Sequence, residues 1–178
     1  MNTISKLLLL VALVALAIPT SLTAQDSAAG TDSVKVGVFD SRCVAMAFYR
    51  SQQFNDELKE MYAGLEAAKK SGDEEAAREA EARGIELQDL MHKQGFGTWP
   101  IDNILKRIDG QLPGVTDKAG VDLIVSKWHV VYRRDKTVPV DVTDQLAALF
   151  EPDEATLKLI EEIRSKDPVP HDQLTPHQ

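Results

Sequence analysis

The hydrophobic positions between residues 54 and 91 form two series, each with the spacing of one apolar stripe on a helix. In both series apolar or small residues recur at alternating steps of four and three, the spacing that buries a narrow seam between helices. The seam positions are Phe54, Leu58, Met61, Leu65 and Ala68, followed by Ala77, Ala80, Gly84, Leu87 and Met91. Between the series, Gly72 can end one helix and Asp73 can cap the next. The pattern predicts two helices with a turn at Gly72/Asp73.

An antiparallel arrangement of these helices keeps both stripes in register. It pairs Phe54 with Met91 at the base and Leu65 with Ala80 nearer the turn, so large residues face small ones and the helices can approach closely. The alternative is that each stripe belongs to an ordinary amphipathic surface helix. Gly64 in the first helix and Gly84 in the second each lower helix stability by about 1 kcal/mol relative to alanine. This predicts an arm less stiff than an ideal coiled coil.

A strand is predicted before this arm, and the chain is expected to run from it directly into the first helix. Residues 34–39 alternate between apolar and other positions, with valines on one face. Asp40 and Ser41 are natural helix caps. Because the seam spacing already begins at Val44, the arm is predicted over about residues 44–94.

The segment after the arm contains helix-breaking residues and two large aromatic side chains. Gly95, Gly97 and Pro100 end the helix. Phe96 and Trp99 are too large to leave exposed without a reason. They either form a contact surface for a partner or pack under the base of the arm beside Phe54, and we favour the packing.

The rest of the chain predicts a small β body with further helices. Helical spacing covers residues 101–108, and an irregular continuation runs to Ala119 with Gly120 as its cap. Three strands are predicted over about residues 121–142. They comprise a strand buried on both faces at 121–125, a hairpin partner at 130–132 after a turn at 126–129, and an edge stretch at 138–142 that contains Pro139.

The carboxyl-terminal part is predicted to be helical and then disordered. Thr143 caps a helix over residues 144–150, and Pro152 opens another that carries Leu159, Ile160 and Ile163. The composition from Asp167 onward predicts a disordered tail at 167–178. The predicted fold class is therefore α+β and mostly helical, with one domain at 34–166 that combines a small β body and a projecting antiparallel helical hairpin.

The amino terminus has the features of a secretory signal. Lys6 precedes an unbroken apolar run over residues 7–18, and a short polar segment ends in a small residue, which predicts cleavage near Ala24. The run is short for a permanent membrane anchor. Residues 25–33 are small and polar and are predicted to be a flexible leader. The mature protein is expected in the periplasm without a stable membrane anchor.

Charge and motif spacing exclude several classes of function. The net charge is −8, and removal of the signal takes away one base and no acid, which leaves −9. Clustered bases are needed to bind phosphate, so neither nucleic acid nor an anionic lipid surface is expected as a partner. No histidine lies at metal-ligand spacing. Cys43 has no partner for an intrachain disulfide and is expected in the core, and the alternative is a cross-link between subunits. We expect no enzyme activity, no cofactor and no metal.

The order of these parts resembles the periplasmic chaperone Skp, or OmpH-like, family. The resemblance covers about residues 34–150, and its most specific part is the closing block Val121-Asp122-Leu123-Ile124-Val125 … Val130-Val131-Tyr132 … Val140-Asp141-Val142-Thr143-Asp144-Gln145-Leu146. It implies a homotrimer, in which sheets from each chain form a body and helical arms surround unfolded outer-membrane proteins. The expected body and subunit-interface residues are Val34, Val36, Val38, Leu123, Val125, Val130 and Tyr132.

This chain departs from the family pattern in ways that bear on function. Its arm is short and acidic, with eleven Asp or Glu and five Lys or Arg between Phe54 and Met91. The breaks at residues 95–100 and the extension at 152–166 also differ. The resemblance implies an ATP-independent holdase for unfolded outer-membrane or exported proteins. The alternative is a structural or adaptor protein that docks one specific envelope partner, with Phe96 and Trp99 as its contact surface.

Overall fold

The computed structural model describes residues 33–174. The predicted signal segment, the leader up to residue 32 and the last four residues of the predicted tail lie outside the described residues. The described part is mostly helical with one small three-stranded sheet, which confirms the α+β, mostly helical class.

One strand lies near the start of the described chain, and two more follow a long helical stretch and precede the last helices. The strands are β1 (Val36–Phe39), β2 (Leu123–Ser126) and β3 (Val140–Asp141). The helices are α1 (Ser41–Tyr49), α2 (Gln52–Ser71), α3 (Glu74–Gly95), α4 (Asp102–Leu105), α5 (Leu112–Ala119), α6 (Thr143–Ala148) and α7 (Glu154–Arg164). Single 3₁₀ turns cover Asp109–Gln111, Lys127–His129 and His171–Gln173.

The sheet is parallel, with β1 in the centre and β2 and β3 on either side of it. β3 forms an edge, as Pro139 predicts. Close packing requires Gly37 in β1, because a Cβ there would lie 3.2 Å from Val121 Cγ2 and 3.3 Å from Ile124 Cγ1. The strand predicted at 121–125 begins at Leu123, whose side chain is 39% exposed, so its predicted burial on both faces is wrong.

The predicted hairpin strand at 130–132 is absent from the described sheet. After β2 the chain enters a 3₁₀ turn, in which Lys127 and Trp128 both bond the carboxylate of Asp40. These contacts direct the chain away from β2, so an antiparallel return does not form. Val131 is fully exposed and Tyr132 is 81% exposed.

The expected continuous helix from the first strand into the arm is also interrupted. α1 ends at Tyr49, and Ser51 begins α2 by accepting a hydrogen bond from the Phe54 N–H through its Oγ at 3.2 Å. A serine side chain that caps a helix start competes with helix continuation at its own position. The helix that carries the first seam series is therefore α2, which is separate from α1.

The connecting helices are shorter or more regular than predicted. Only four residues of the stretch 101–108 form an α-helix, at α4. By contrast α5 is regular, because Pro113 lies in its first turn and Gly120 ends it in a left-handed conformation with φ +64°.

The core surrounds α1, which packs against α3, α6 and α7. Cys43, Val44, Ala45 and Ala47 are completely buried there, as expected for the cysteine. The other buried apolar residues come from every part of the described body and include Phe39, Phe48, Phe54, Ile101, Ile104, Ile108, Val115, Val142, Leu146, Phe150, Ile160 and Ile163.

The segment from Asp167, for which the composition predicts disorder, is described by the structure as far as Leu174. This segment forms a 3₁₀ turn at His171–Gln173, and the Val169 N–H donates to the Phe96 carbonyl at 2.9 Å. The composition of the segment is mostly polar, so it does not indicate which few residues make contacts. Those contacts are with a distant part of the chain.

Candidate binding surfaces

α2 and α3 contact each other and meet where the sequence places a turn. Gly72 adopts φ +75°, a conformation that glycine reaches without steric cost. The Asp73 carboxylate then caps α3 by accepting from the Ala76 N–H at 3.0 Å. One exposed ion pair links the helices, between Lys69 and Glu81 at 3.0 Å.

None of the ten predicted seam residues is exposed, but only one of them is fully buried. Phe54 is 2% exposed, whereas the other nine are half-buried. The side chains of a two-helix contact have protein on one side only, so solvent reaches the seam from both flanks. Two depressions flank the seam. We call the one that also reaches Phe48 and Tyr49 of α1 the base cleft, and the one that is lined by α2 and α3 alone the tip cleft.

The base cleft has a volume of about 480 Å³ and reaches from the seam to the body. Its floor includes Leu58 and Leu87 of the seam with Phe48 and Tyr49 of α1. At its rim Arg107 forms a bidentate ion pair with Glu57, in which Nη2 donates to Oε2 at 2.9 Å. The cleft is thus apolar inside and charged at its edge.

The tip cleft, of about 590 Å³, contains two exposed apolar side chains that the seam pattern does not include. Tyr62 is 58% exposed and Ile85 is 62% exposed. Each directly follows a seam residue, Met61 or Gly84, so both lie beside the seam. A search for large apolar residues next to seam positions would have found them. Most of the remaining lining is the seam itself, at Leu58, Met61, Leu65, Ala80, Gly84, Leu87 and Met91.

The sheet has an apolar face on which most of the predicted interface residues lie. In the parallel register Val36 pairs with Leu123 and Val38 pairs with Val125, so these four side chains share one face. All four are at least partly exposed. Val34 precedes β1 and is 63% exposed.

The segment after β2 extends this sheet face. Val130 and Tyr132 line a depression of about 450 Å³ together with Val36 and Val38. Arg133 and Arg134 line it as well, and they give it a positive edge in an otherwise acidic chain.

Phe96 and Trp99 do not pack beside Phe54 as expected. Phe54 instead contacts the rings of Phe48 and Tyr49, with centroid distances of 5.2 and 4.9 Å. The indole of Trp99 lies near His171 of the carboxyl-terminal segment, and both predicted contact residues stay about two-fifths exposed, at 43% for Phe96 and 40% for Trp99. Their role in partner binding stays a prediction.

A buried ionic cluster lies where β1 ends, and the sequence analysis did not identify it. The Asp40 carboxylate lies 2.8 Å from Arg42 Nη2 and 2.8 Å from Lys127 Nζ. Burial by itself raises the pKa of Asp40, but its bonds to Arg42 and Lys127 outweigh that effect and hold the pKa below its ordinary value. The indole of Trp128 lies under both cations, at 4.9 Å from Arg42 and 4.4 Å from Lys127. The four side chains of the cluster contact one another. The cluster therefore holds the end of β1 beside the end of β2.

Two other groups have raised pKa values because they are buried. Desolvation raises the pKa of Cys43 to about 11 and that of Tyr49 to about 12. A thiol with such a pKa is protonated at neutral pH and is a poor nucleophile. Cys43 is therefore a packing residue.

Over residues 33–174, no three or more His, Cys, Asp or Glu side chains are close enough to hold a metal ion together. No helix in the same range is long and apolar enough to cross a membrane. The predicted absence of catalysis and cofactors stays a prediction.

Comparisons of the chain with models of known protein families, with curated proteins and with solved structures found no match. The function is therefore inferred from the geometry of the described surfaces and from the residues of the sequence.

Proposed function

We propose that this protein is an exported Skp/OmpH-like holdase, which binds unfolded outer-membrane or exported proteins in the periplasm without ATP. The observation that carries the proposal is the half-buried seam of α2 and α3, with an apolar cleft on each flank. The amino-terminal signal pattern and the resemblance of residues 34–150 to that family also support it.

The clefts suit weak binding of apolar side chains better than tight binding of one ligand. Both are open depressions, and the tip cleft presents Tyr62 and Ile85 beside half-exposed seam residues. Burial of apolar area is favourable and non-directional, so such a surface can accept many client sequences. Several arms acting together would convert weak contacts into useful affinity.

The proposed assembly is a homotrimer, with α2 and α3 as a projecting antiparallel arm. The apolar sheet face of Val36, Val38, Leu123 and Val125 is the proposed subunit interface, with Val130 and Tyr132 beside it. Three short strands form a stable sheet only when packed on helices or other strands. Phe39, on the inner face of this sheet, is buried in the core, and the proposal assigns the outer face to neighbouring subunits.

The interface part of the proposal is tested by Val125→Asp. This substitution places an unpaired charge in the proposed apolar interface, which is prohibitive to bury. Sedimentation should give a trimer for the native mature chain and a smaller species for the variant. A folded variant that keeps the native mass would reject this role of the sheet face.

The arm register is tested by disulfide formation. Cysteines at Leu65 and Ala80, in a Cys43→Ser background, should link within one chain under mild oxidation. A second pair at Leu65 and Ala76 serves as an out-of-register control, because residue 76 is four positions from the proposed partner. Equal linking of both pairs, or none while the protein stays folded, would contradict the register.

Holdase activity is tested by light scattering of a urea-diluted β-barrel membrane protein with equimolar trimer. Suppression by apolar contact should persist at about 0.5 M salt, where the Debye length is about 4 to 5 Å by interpolation. A Tyr62→Ser, Ile85→Ser variant should suppress aggregation less. Its control is Ala67→Ser, Ala82→Ser, at exposed arm positions that line neither cleft.

The second candidate is a specific envelope adaptor. The exposure of Phe96 and Trp99 favours it, because these aromatic side chains lie outside both arm clefts. Failure to suppress aggregation at either salt concentration, for clients of either charge, would end the holdase proposal. The adaptor would then be the better explanation.

A further inference from the structure

The last described segment, residues 167–174, lies across the turn that joins α3 to α4. The Val169 N–H donates to the Phe96 carbonyl oxygen at 2.9 Å. The imidazole of His171 lies against the indole of Trp99, with 5.4 Å between ring centroids, and its Nε2 is 3.3 Å from Thr98 Oγ1. Backbone and side chains of the segment therefore both contact the turn.

The segment also packs tightly against Gly97. A Cβ at this position would lie 2.5 Å from Leu174 Cδ1 and 2.8 Å from the carbonyl oxygen of Lys93. These distances leave no room for a side chain, so glycine is what allows the leucine to lie on the turn. Leu174 is half-buried as a result.

The composition of the segment favours binding in an extended form. Pro168 and Pro170 have fixed φ angles and no N–H, and each also restricts the residue before it to extended conformations. The only N–H of this three-residue run belongs to Val169, and it is the one bonded to Phe96. Such a peptide loses little conformational entropy when it binds.

The surface that receives the segment is held in place by other contacts. The buried side chain of Gln94 donates to the Pro100 carbonyl at 2.6 Å and to Asn103 Oδ1 at 2.7 Å, and it also bonds the Tyr49 hydroxyl. These bonds fix both ends of the turn to α1 and α4. The turn should therefore keep its shape when the segment leaves.

The segment is attached at one end and loosely held beyond it. Arg42 Nη1 donates to the Lys166 carbonyl at 3.0 Å, which fixes its start. His171, Asp172 and Gln173 are exposed, and the segment leaves Phe96 and Trp99 about two-fifths exposed. A contact of this extent on a short tether can open without unfolding the core.

We propose that the turn at residues 96–99 is a binding surface for an extended, proline-flanked peptide, and that residues 167–174 occupy it as a releasable strap. A competing partner segment would present an N–H to the Phe96 carbonyl, a ring to Trp99 and an aliphatic side chain to Gly97. This surface is separate from the arm clefts. The inference holds whether or not the arm binds clients.

The test measures binding of the strap sequence added from outside. The probe is a fluorescein-labelled synthetic peptide with the sequence of residues 167–178, and binding is followed by anisotropy. Val169→Pro removes the N–H that bonds Phe96, and Leu174→Ala removes the side chain over Gly97. The full chain with both substitutions should bind the peptide at least ten-fold more tightly than the native chain.

Two controls define the contacts. Gln173→Ala changes an exposed residue of the same segment and should leave peptide binding at the native level. A peptide that carries the Val169→Pro and Leu174→Ala substitutions should not bind. If circular dichroism shows that the double variant is unfolded, the chain with Leu174→Ala alone replaces it under the same criterion. The proposal is overturned if the folded variant binds the peptide no more tightly than the native chain does. The same conclusion follows if neither the variant nor the native chain binds the peptide.

Discussion

The body around α1 and the pair α2–α3 use the same kinds of apolar residues but bury them to different extents. In α1, Cys43, Val44, Ala45 and Ala47 have no exposed surface, because α3, α6 and α7 pack around them. Along α2 and α3 only Phe54, Gln94 and Gly95 are buried, and they lie where the helices meet the body. The difference arises because the α2–α3 seam has one neighbouring helix and no second layer.

This difference separates two sources of stability. The body is stabilised by burial, which is proportional to the apolar area removed from water. α2 and α3 depend more on local features, such as the caps at Ser51 and Asp73 and the left-handed Gly72. Helices in proteins gain most of their stability from tertiary packing. We therefore expect α2 and α3 to open more readily than the body, and apolar residues to be available there for contact.

The largest expected effect comes from removing a buried ring of the body. Phe48 is 2% exposed, and its ring lies 5.2 to 5.5 Å from the rings of Tyr49, Phe54 and Phe150. Phe48→Ala should lower the free energy of unfolding by about 3–5 kcal/mol. The matched α2 variant Leu65→Ala, at a half-buried position, should cost only about 1 kcal/mol. Urea denaturation measures both, and equal losses would contradict the distinction between the body and the pair α2–α3.

The next effect concerns Asp40 and depends on pH. The folded-state pKa of this carboxyl lies below its unfolded value, so its contribution to stability is complete above the unfolded pKa of about 3.9 and is lost as pH falls through the folded pKa. Asp40→Asn leaves the buried Arg42 without its charged partner. The variant should be less stable at pH 7, and its difference from the native protein should shrink below about pH 4.

The control for this titration is Asp117→Asn, which changes an exposed aspartate. Its unfolding free energy should follow that of the native protein over the same pH range. Urea denaturation at several pH values gives the comparison. A constant difference between Asp40→Asn and the native protein down to pH 2 would show that the Asp40 charge does not contribute.

Local patterns in the sequence predict local structure well. The stop at Gly72, the cap at Asp73 and the end of α3 at Gly95 each depend on residues within one helical turn, and all three lie where the sequence places them. The alternation along β1 likewise places Val36 and Val38 on one face, and the structure shows them on the same, more exposed face of the strand. These features need no information about distant residues.

The errors occur where distant residues decide the structure. Alternation along a strand does not reveal the direction of its neighbour, so the parallel sheet was not predicted. The turn after β2 depends on bonds from Lys127 and Trp128 to Asp40, which is nearly ninety positions away in the chain. The contact between Val169 and Phe96 is also long-range. Nothing local distinguishes these residues from an ordinary loop or tail.

The smallest expected effect compares two glycines, one from each region. Gly84 lies in α3, where an added Cβ would meet no atom within 4 Å, whereas a Cβ at Gly37 in β1 would lie 3.2 to 3.3 Å from Val121, Ile124 and Leu123. Gly84→Ala should therefore stabilise α3 by about 0.5–1 kcal/mol, because alanine loses less backbone entropy on helix formation. Gly37→Ala should destabilise the sheet by about 1 kcal/mol through overpacking.

Hydrogen exchange of the α3 amides should slow in the Gly84→Ala variant, and urea denaturation should show the loss of stability in the Gly37→Ala variant. Slower exchange at α3 without a matching rise in the body would show that the two regions open separately, whereas equal slowing throughout residues 33–174 would mean that they unfold as one unit.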